Sequence, residues 1–264
     1  MSRSPRIELG PVAVRAVRRA LRALGDPRAR PNLRWLSGIS GESSARISEV
    51  LREADDLVRW EAEIRRRHLE EGRWYYAQFR APLELYALVR FLRPKHVVET
   101  GVSSGVSSAH LLAGLRRNRT GTLHSIDLPT YQRGRRFSSR DSPVALPPGR
   151  APGWAVPGPL RSRWDLRLGT SESVLPGLVE QLDSIGLFLH DSLHSASHLT
   201  FELNTVRPKL SRDAVVLADN TIWTGAAFPR FAKSLGVPMQ RRGRTDLVGL
   251  RVPRAAAGGG PFRL

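Results

Sequence analysis

A chain of 264 residues with 41% hydrophobic content can bury one substantial core, and its lack of cysteine excludes disulfides, thiolate metal sites and a cysteine nucleophile. The formal charge of +18 comes from 42 basic residues, all arginine except Lys95, Lys209 and Lys233 and spread with no run longer than Arg65, Arg66 and Arg67; this reads as a basic solvated surface, with nucleic-acid binding kept as a rival. No signal peptide is evident and no apolar run reaches the roughly 20 residues of a membrane span, so the expected location is the cytoplasm.

In chain order, residues 12 to 24 predict an amphipathic helix with Val14, Val17, Leu21 and Leu24 on one face and arginines on the other, stopped by Gly25. Such a helix can dock on its own domain or partner subunit, or lie on an anionic membrane surface. Residues 28 to 42, with Pro31, Asn32, Gly38 and Gly41, read as a linker. From Ser44 to Glu71 the positions Ile47, Val50, Leu51, Ala54, Leu57, Val58 and Ile64 keep the spacing of one long helix, and a second helix is predicted from Pro82 to Phe91. Between them Trp74, Tyr75, Tyr76 and Phe79 form either a pocket wall or an aromatic packing patch.

Then the pattern changes. Val97 and Val98 predict a buried strand that ends in Glu99; Gly101 and Gly105 follow, and Ser107 and Ser108 open a helix carrying Leu111, Leu112 and Leu115. A glycine turn at the carboxyl end of a strand lets a ligand approach the backbone. The spacing E-x-G-x-x-x-G departs from the dinucleotide pattern G-x-G-x-x-G, and no P-loop lysine follows. An acid beside spaced glycines suits a ligand with an ammonium and a ribose. Thr122 to Ile126 predicts the next strand, ending at Asp127, where an acid can accept from ribose hydroxyls.

Residues 128 to 163 are rich in Gly, Pro, Arg and Ser and read as a lid, with Trp154 and Trp164 able to close a pocket, or as a mobile insertion. Alternation then resumes: a strand at Asp165 to Leu168 leading into Gly169, Thr170 and Ser171, a helix to Leu182, a strand at Ile185 to His190, a helix at Leu199 to Leu210, a strand at Ala214 to Ala218, a helix near Ala226 to Leu235, and a closing hairpin at Met239 to Arg242 and Leu247 to Val252. The expected fold is α/β: a doubly wound, mostly parallel, seven-stranded Rossmann-like sheet with an N-terminal helical extension. The division follows as 1–80 extension, 81–254 cofactor-binding domain and 255–264 flexible tail.

Two strand ends supply oxygen donors, Asp191 after one and Asp219 with Asn220 after the next. Such a set suits Mg²⁺ or another hard divalent cation, while Asp-Asn after a strand is also an ordinary turn and helix cap.

The Glu99 to Gly105 turn resembles motif I of class I S-adenosylmethionine-dependent methyltransferases. Asp219-Asn220-Thr221-Ile222-Trp223-Thr224-Gly225 is similar to the D-N-x-x-W-x-G segment of cation-dependent O-methyltransferases acting on catechols and caffeoyl thioesters, and Asp191-Ser192-Leu193-His194-Ser195 to the D-G-D-H-S pattern of a bacterial methyltransferase group. The resemblance spans roughly residues 80 to 252. It implies a seven-stranded methyltransferase sheet, S-adenosylmethionine held by Glu99, Gly101, Ser103, Gly105, Ser107, Asp127 and Ser171, a divalent cation on Asp191, Asp219 and Asn220, and methyl transfer to a small-molecule hydroxyl. Leu193 replaces the pattern's second acid, and His194 stands where the catechol enzymes carry a lysine. His194 is therefore the candidate base, with a helix cap and a fourth metal ligand as alternatives. The rivals are a nucleic-acid methyltransferase and a catalytically silent cofactor-binding protein; a homo-oligomer stays open.

Overall fold

The computed structural model describes residues 31–71, 82–129, 146–147 and 149–253. The expected helix at 12–24, the aromatic group at 74–79, positions 130–145 and 148 of the insertion, and the tail lie outside the described residues.

Residues 28–42 contain a helix, not only a linker. α1 (Leu33–Ser40) starts at Asn32, whose side chain accepts from the Trp35 amide, and stops at Gly41, which is left-handed at φ 77°. Its glycine misled the reading of composition: Gly38 lies inside the helix, where the Gln240 side chain of the closing hairpin passes against it. The single helix expected over Ser44 to Glu71 is two, α2 (Ser44–Arg52) and α3 (Asp55–Glu70), broken at Glu53 and Ala54. A break of two residues leaves the apolar spacing almost intact, so periodicity alone does not register it. α4 (Pro82–Leu92) follows as expected.

The remaining elements alternate: β1 (His96–Thr100), α5 (Val106–Asn118), β2 (Thr122–Asp127), a 3₁₀ turn (Gly158–Arg163), β3 (Trp164–Leu168), α6 (Ser171–Gln181), β4 (Ile185–His190), α7 (Ala196–Val206), β5 (Leu210–Ala218), α8 (Ala227–Ser234), β6 (Gln240–Arg241) and β7 (Val248–Arg251). α7 runs from Ala196 to Val206, where Leu199 to Leu210 was expected. Ser195 caps it by accepting from the His198 amide, and Pro208 turns its end into a 3₁₀ segment before β5.

The seven strands lie in the order β3-β2-β1-β4-β5-β7-β6; β1 to β5 are parallel and β7 runs antiparallel to both its neighbours. Both faces are covered, as a parallel sheet requires. Val97, Leu187, Leu189, Val215 and Leu217 meet α1 to α5 on one face, where Trp35, Leu36 and Ile39 share the core. Val98, Phe188, Val216 and Leu250 meet α6, α7 and α8 on the other. Period-two alternation along β1 and β4 therefore decides which polar side chains reach which layer. Among the described residues no helix is long and apolar enough to cross a membrane.

Candidate active site at the carboxyl edge of the sheet

The strand order reverses between β1 and β4, and in an open α/β sheet the crevice outside the carboxyl ends of the strands at such a reversal is where ligands bind. One lip is the turn from Gly101 to Gly105. Gly101 has φ 85°, and a Cβ there would lie 2.0 Å from the Asp191 carbonyl oxygen, so glycine is needed for the ends of β1 and β4 to pass closely. Gly105 (φ 92°) begins α5, and a Cβ on it would meet Val156 at 2.4 Å. The loop preceding the 3₁₀ turn covers this start of α5, with Gly153 and Ala155 donating to the Ser103 and Ser104 carbonyls. Trp164 lies across Gly153.

Asp127 ties the turn to β2. One carboxylate oxygen accepts from the Val102 and Ser103 amides at 3.0 and 2.7 Å, and the other accepts from Leu128 at 2.7 Å. Gly169 at the end of β3 donates to the Asp127 carbonyl, which sets Ser171, the first residue of α6, along the same edge. The structure thus gathers Gly101, Ser103, Gly105 and Asp127 around one turn, with Ser171 beyond Asp127.

Glu99 and Ser107 lie behind that turn, not on its open side. The Glu99 carboxylate is fully buried and accepts from the Ser107, Ser108 and Ser125 hydroxyls at 2.6, 2.6 and 2.7 Å. Trp164 Nε1 in turn donates to Ser125. Burial pushes the Glu99 carboxyl up to about 7, against the pull of the three hydroxyls and assisted by the negative charge of Asp191. The acid therefore clamps the start of α5 to β1 and β2, an arrangement set by the inward direction of alternate β1 residues.

The other lip comes from β4 and β5. Asp191 and Asp219 follow the paired residues His190 and Ala218, and the Asp219 amide donates to the His190 carbonyl. Asn220 adopts φ 51°, a left-handed conformation that asparagine tolerates, and opens the turn to Thr224. His194 sits between these ends: its Nε2 is 3.6 Å from Asp191 Oδ1 and 3.3 Å from Asn220 Nδ2, and its ring meets the half-exposed Trp223 edge-on at 5.7 Å. Ser195, and not His194, caps α7, so the cap alternative for this histidine is ruled out. Asp191, Asp219 and Asn220 offer oxygens of the hard-cation kind on neighbouring strand ends. Among the described residues, however, no three His, Cys, Asp or Glu side chains converge to hold a metal.

A second polar cluster underlies this lip and was not read from the sequence. Glu202 and His198 of α7 are buried with His190 between helix and sheet. Burial would raise the Glu202 carboxyl, but His190 and His198 outweigh it and hold it far below the usual carboxylate range. Burial likewise opposes charge on His198, yet its hydrogen bonds to Glu202 and Glu172 raise its pKa. Both His198 nitrogens face carboxylates, at 2.9 Å each, as in an imidazolium. The available signal was the i, i+4 pair His198 and Glu202 lying in register with the core residues Leu199, Leu203 and Val206.

Residues 98–221 match the model of a methyltransferase domain family. A protein from Klebsiella pneumoniae proposed to be an O-methyltransferase shares the fold with a TM-score of 0.51 at 15% identity, over 91% of this chain and 97% of its own. The O-methyltransferase TomG from Streptomyces achromogenes, involved in tomaymycin synthesis and solved with S-adenosylmethionine, aligns at 0.48 and 16% identity over 72% of this chain and 88% of its own. The O-methyltransferase NovP aligns at 0.47 and 18% identity over 61% and 73%. No curated protein matches the chain. The matched methyltransferase domain runs from β1 to just beyond β5 and so includes both lips of the crevice.

Proposed function

We propose that the protein transfers the methyl group of S-adenosylmethionine to a hydroxyl oxygen of a small molecule, with His194 as the base. The observation that carries this reading is the placement of His194 beside Asp191, across the crevice from the glycine turn. The sulfonium of the bound cofactor supplies an already reactive methyl group, which leaves the protein to align the acceptor and take up its proton. With the methyl group supplied by the cofactor, the acceptor hydroxyl would give up its proton to His194. Asp191, three residues before His194 in the same loop, favours the imidazolium that forms. Asp127 and the amides of the turn are the groups suited to the ribose, and Trp223 offers an apolar wall for the acceptor.

A divalent cation on Asp191, Asp219 and Asn220 is a finer reading, supported by oxygen donors on adjacent strand ends; nothing in the proton transfer above depends on it. A nucleic-acid acceptor is favoured by Arg116, Arg117, Arg119 and Arg163, which line a cavity of about 580 Å³ together with Glu53 and Asp56. That cavity lies beyond the carboxyl end of α5, at the opposite edge of the sheet from the crevice.

The test is turnover with labelled S-adenosylmethionine on a panel of phenols and sugars, with and without EDTA. His194→Ala is expected to lower kcat by roughly 10²- to 10⁴-fold, the usual effect of losing a positioned base, while S-adenosylhomocysteine affinity holds. Full activity of His194→Ala refutes the base, full activity in EDTA removes the cation, and transfer to RNA or DNA alone refutes the small-molecule acceptor.

A further inference from the structure

Glu202 has no part in the proton transfer above, yet it joins both lips of the crevice. Its fully buried carboxylate takes hydrogen bonds from three separate stretches of chain. Thr100 Oγ1, at the end of β1, donates to Oε2 at 2.8 Å. His190 Nδ1, at the end of β4, donates to the same oxygen at 2.7 Å. Ser192 Oγ and His198 Nε2 reach Oε1 at 2.8 and 2.9 Å. Thr100 immediately precedes Gly101, and His190 and Ser192 flank Asp191.

Attachment of α7 to the sheet does not call for this carboxylate. Leu199, Leu203 and Val206 already bury that face, and an ion pair in such a place contributes little beyond what apolar packing would give, because desolvation offsets the Coulombic gain. What the carboxylate adds is direction. His194 lies outside the helix, in the loop between β4 and α7, and its ring stands at 88° to that of His190 with centroids 5.7 Å apart. The His190 ring is itself held by Glu202, and the Asp191 amide donates to the Thr100 carbonyl at 2.9 Å.

We infer that Glu202 is a positioning residue for methyl transfer: by tying Thr100, His190 and Ser192 to one helix, it fixes Asp191 and His194 relative to the glycine turn. This rests on the role given to His194 above. A misplacement of about 1 Å at a reacting group can cost on the order of 10²-fold in rate.

The experiment compares full-length Glu202→Gln, Ser192→Ala and a control, Glu84→Gln. Glu84 is an equally buried carboxylate paired with Arg242, far along the chain from the crevice loops. With S-adenosylhomocysteine present, hydrogen exchange of the amides from Asp191 to Ser195 reports loop opening and needs no acceptor. Exchange is expected to quicken at least about tenfold in Glu202→Gln and Ser192→Ala, and the His194 ring resonances to move, while Glu84→Gln lowers Tm and changes neither. On an acceptor turned over by the wild type, kcat should fall about 10- to 100-fold in the first two variants, with acceptor KM and S-adenosylhomocysteine Kd within about threefold. If Glu202→Gln does not fold, Ser192→Ala decides. Unchanged loop exchange in the folded variants overturns the inference, as does an equal change in Glu84→Gln. A wild type that turns over no acceptor refutes the proposed reaction, and loop exchange still decides the role of Glu202.

Discussion

Replacing Glu99 by glutamine removes a titrating group from a fully enclosed polar site. The carboxyl is fully buried beneath Ser107, Ser108 and Ser125 and is pushed up to about 7 from 4.5, chiefly by burial. Its folded pKa is raised, so the stability it contributes is complete below the unfolded value and is lost as pH rises toward the folded one. Between pH 4.5 and about 7 the unfolded chain releases this proton while the folded chain keeps it. At 1.36 kcal/mol per unit, the wild type should lose about 3 kcal/mol relative to Glu99→Gln across that window, with a constant difference at higher pH. Glutamine matches the carboxylate in shape, and the serine hydroxyls can rotate to accept as well as donate. Urea denaturation of both proteins at half-unit steps from pH 4 to 8.5 measures the difference, in which every other titrating group cancels. A difference independent of pH would show that the folded pKa equals the unfolded one, the three hydroxyl donors just balancing burial. The reverse slope would show that its pKa lies below 4.5.

Gly101→Ala combines a left-handed φ with a methyl group 2.0 Å from the Asp191 carbonyl; it should destabilise by about 3 kcal/mol or more in thermal or urea unfolding and weaken S-adenosylhomocysteine binding, and a fully stable variant would refute the close approach of β1 and β4. Asp127→Ala should weaken S-adenosylhomocysteine by about 1.5 to 3 kcal/mol in calorimetry, as expected for a lost charge-assisted hydrogen bond, and should also lower Tm because the Val102 and Ser103 amides lose their acceptor. Unchanged affinity would remove Asp127 from the cofactor site.

Local chemistry in the sequence was sufficient for the alternation of strands and helices, the turn from Gly101 to Gly105, and the acids that close β2, β4 and β5. Those features rest on spacing within a few residues: period two in Val97 to Glu99, period 3.6 in Leu111 to Leu115, and glycine where φ turns positive. The α1 signal was equally local, since Asn32 and Gly41 are a cap and a stop, but composition hid it because Gly38 stands within the helix, against the Gln240 side chain two hundred residues away. Tertiary structure alone decided what the acids face. Glu99 and Asp127 both close strands, yet one is enclosed by three serines while the other holds the amides of the turn. Glu84 and Glu202 look like surface residues of helices until the layers come together and pair them with Arg242 and with His190 and His198. A buried charge is tolerated only where several elements bring it partners, and those partners sit at distances along the chain that no local pattern records.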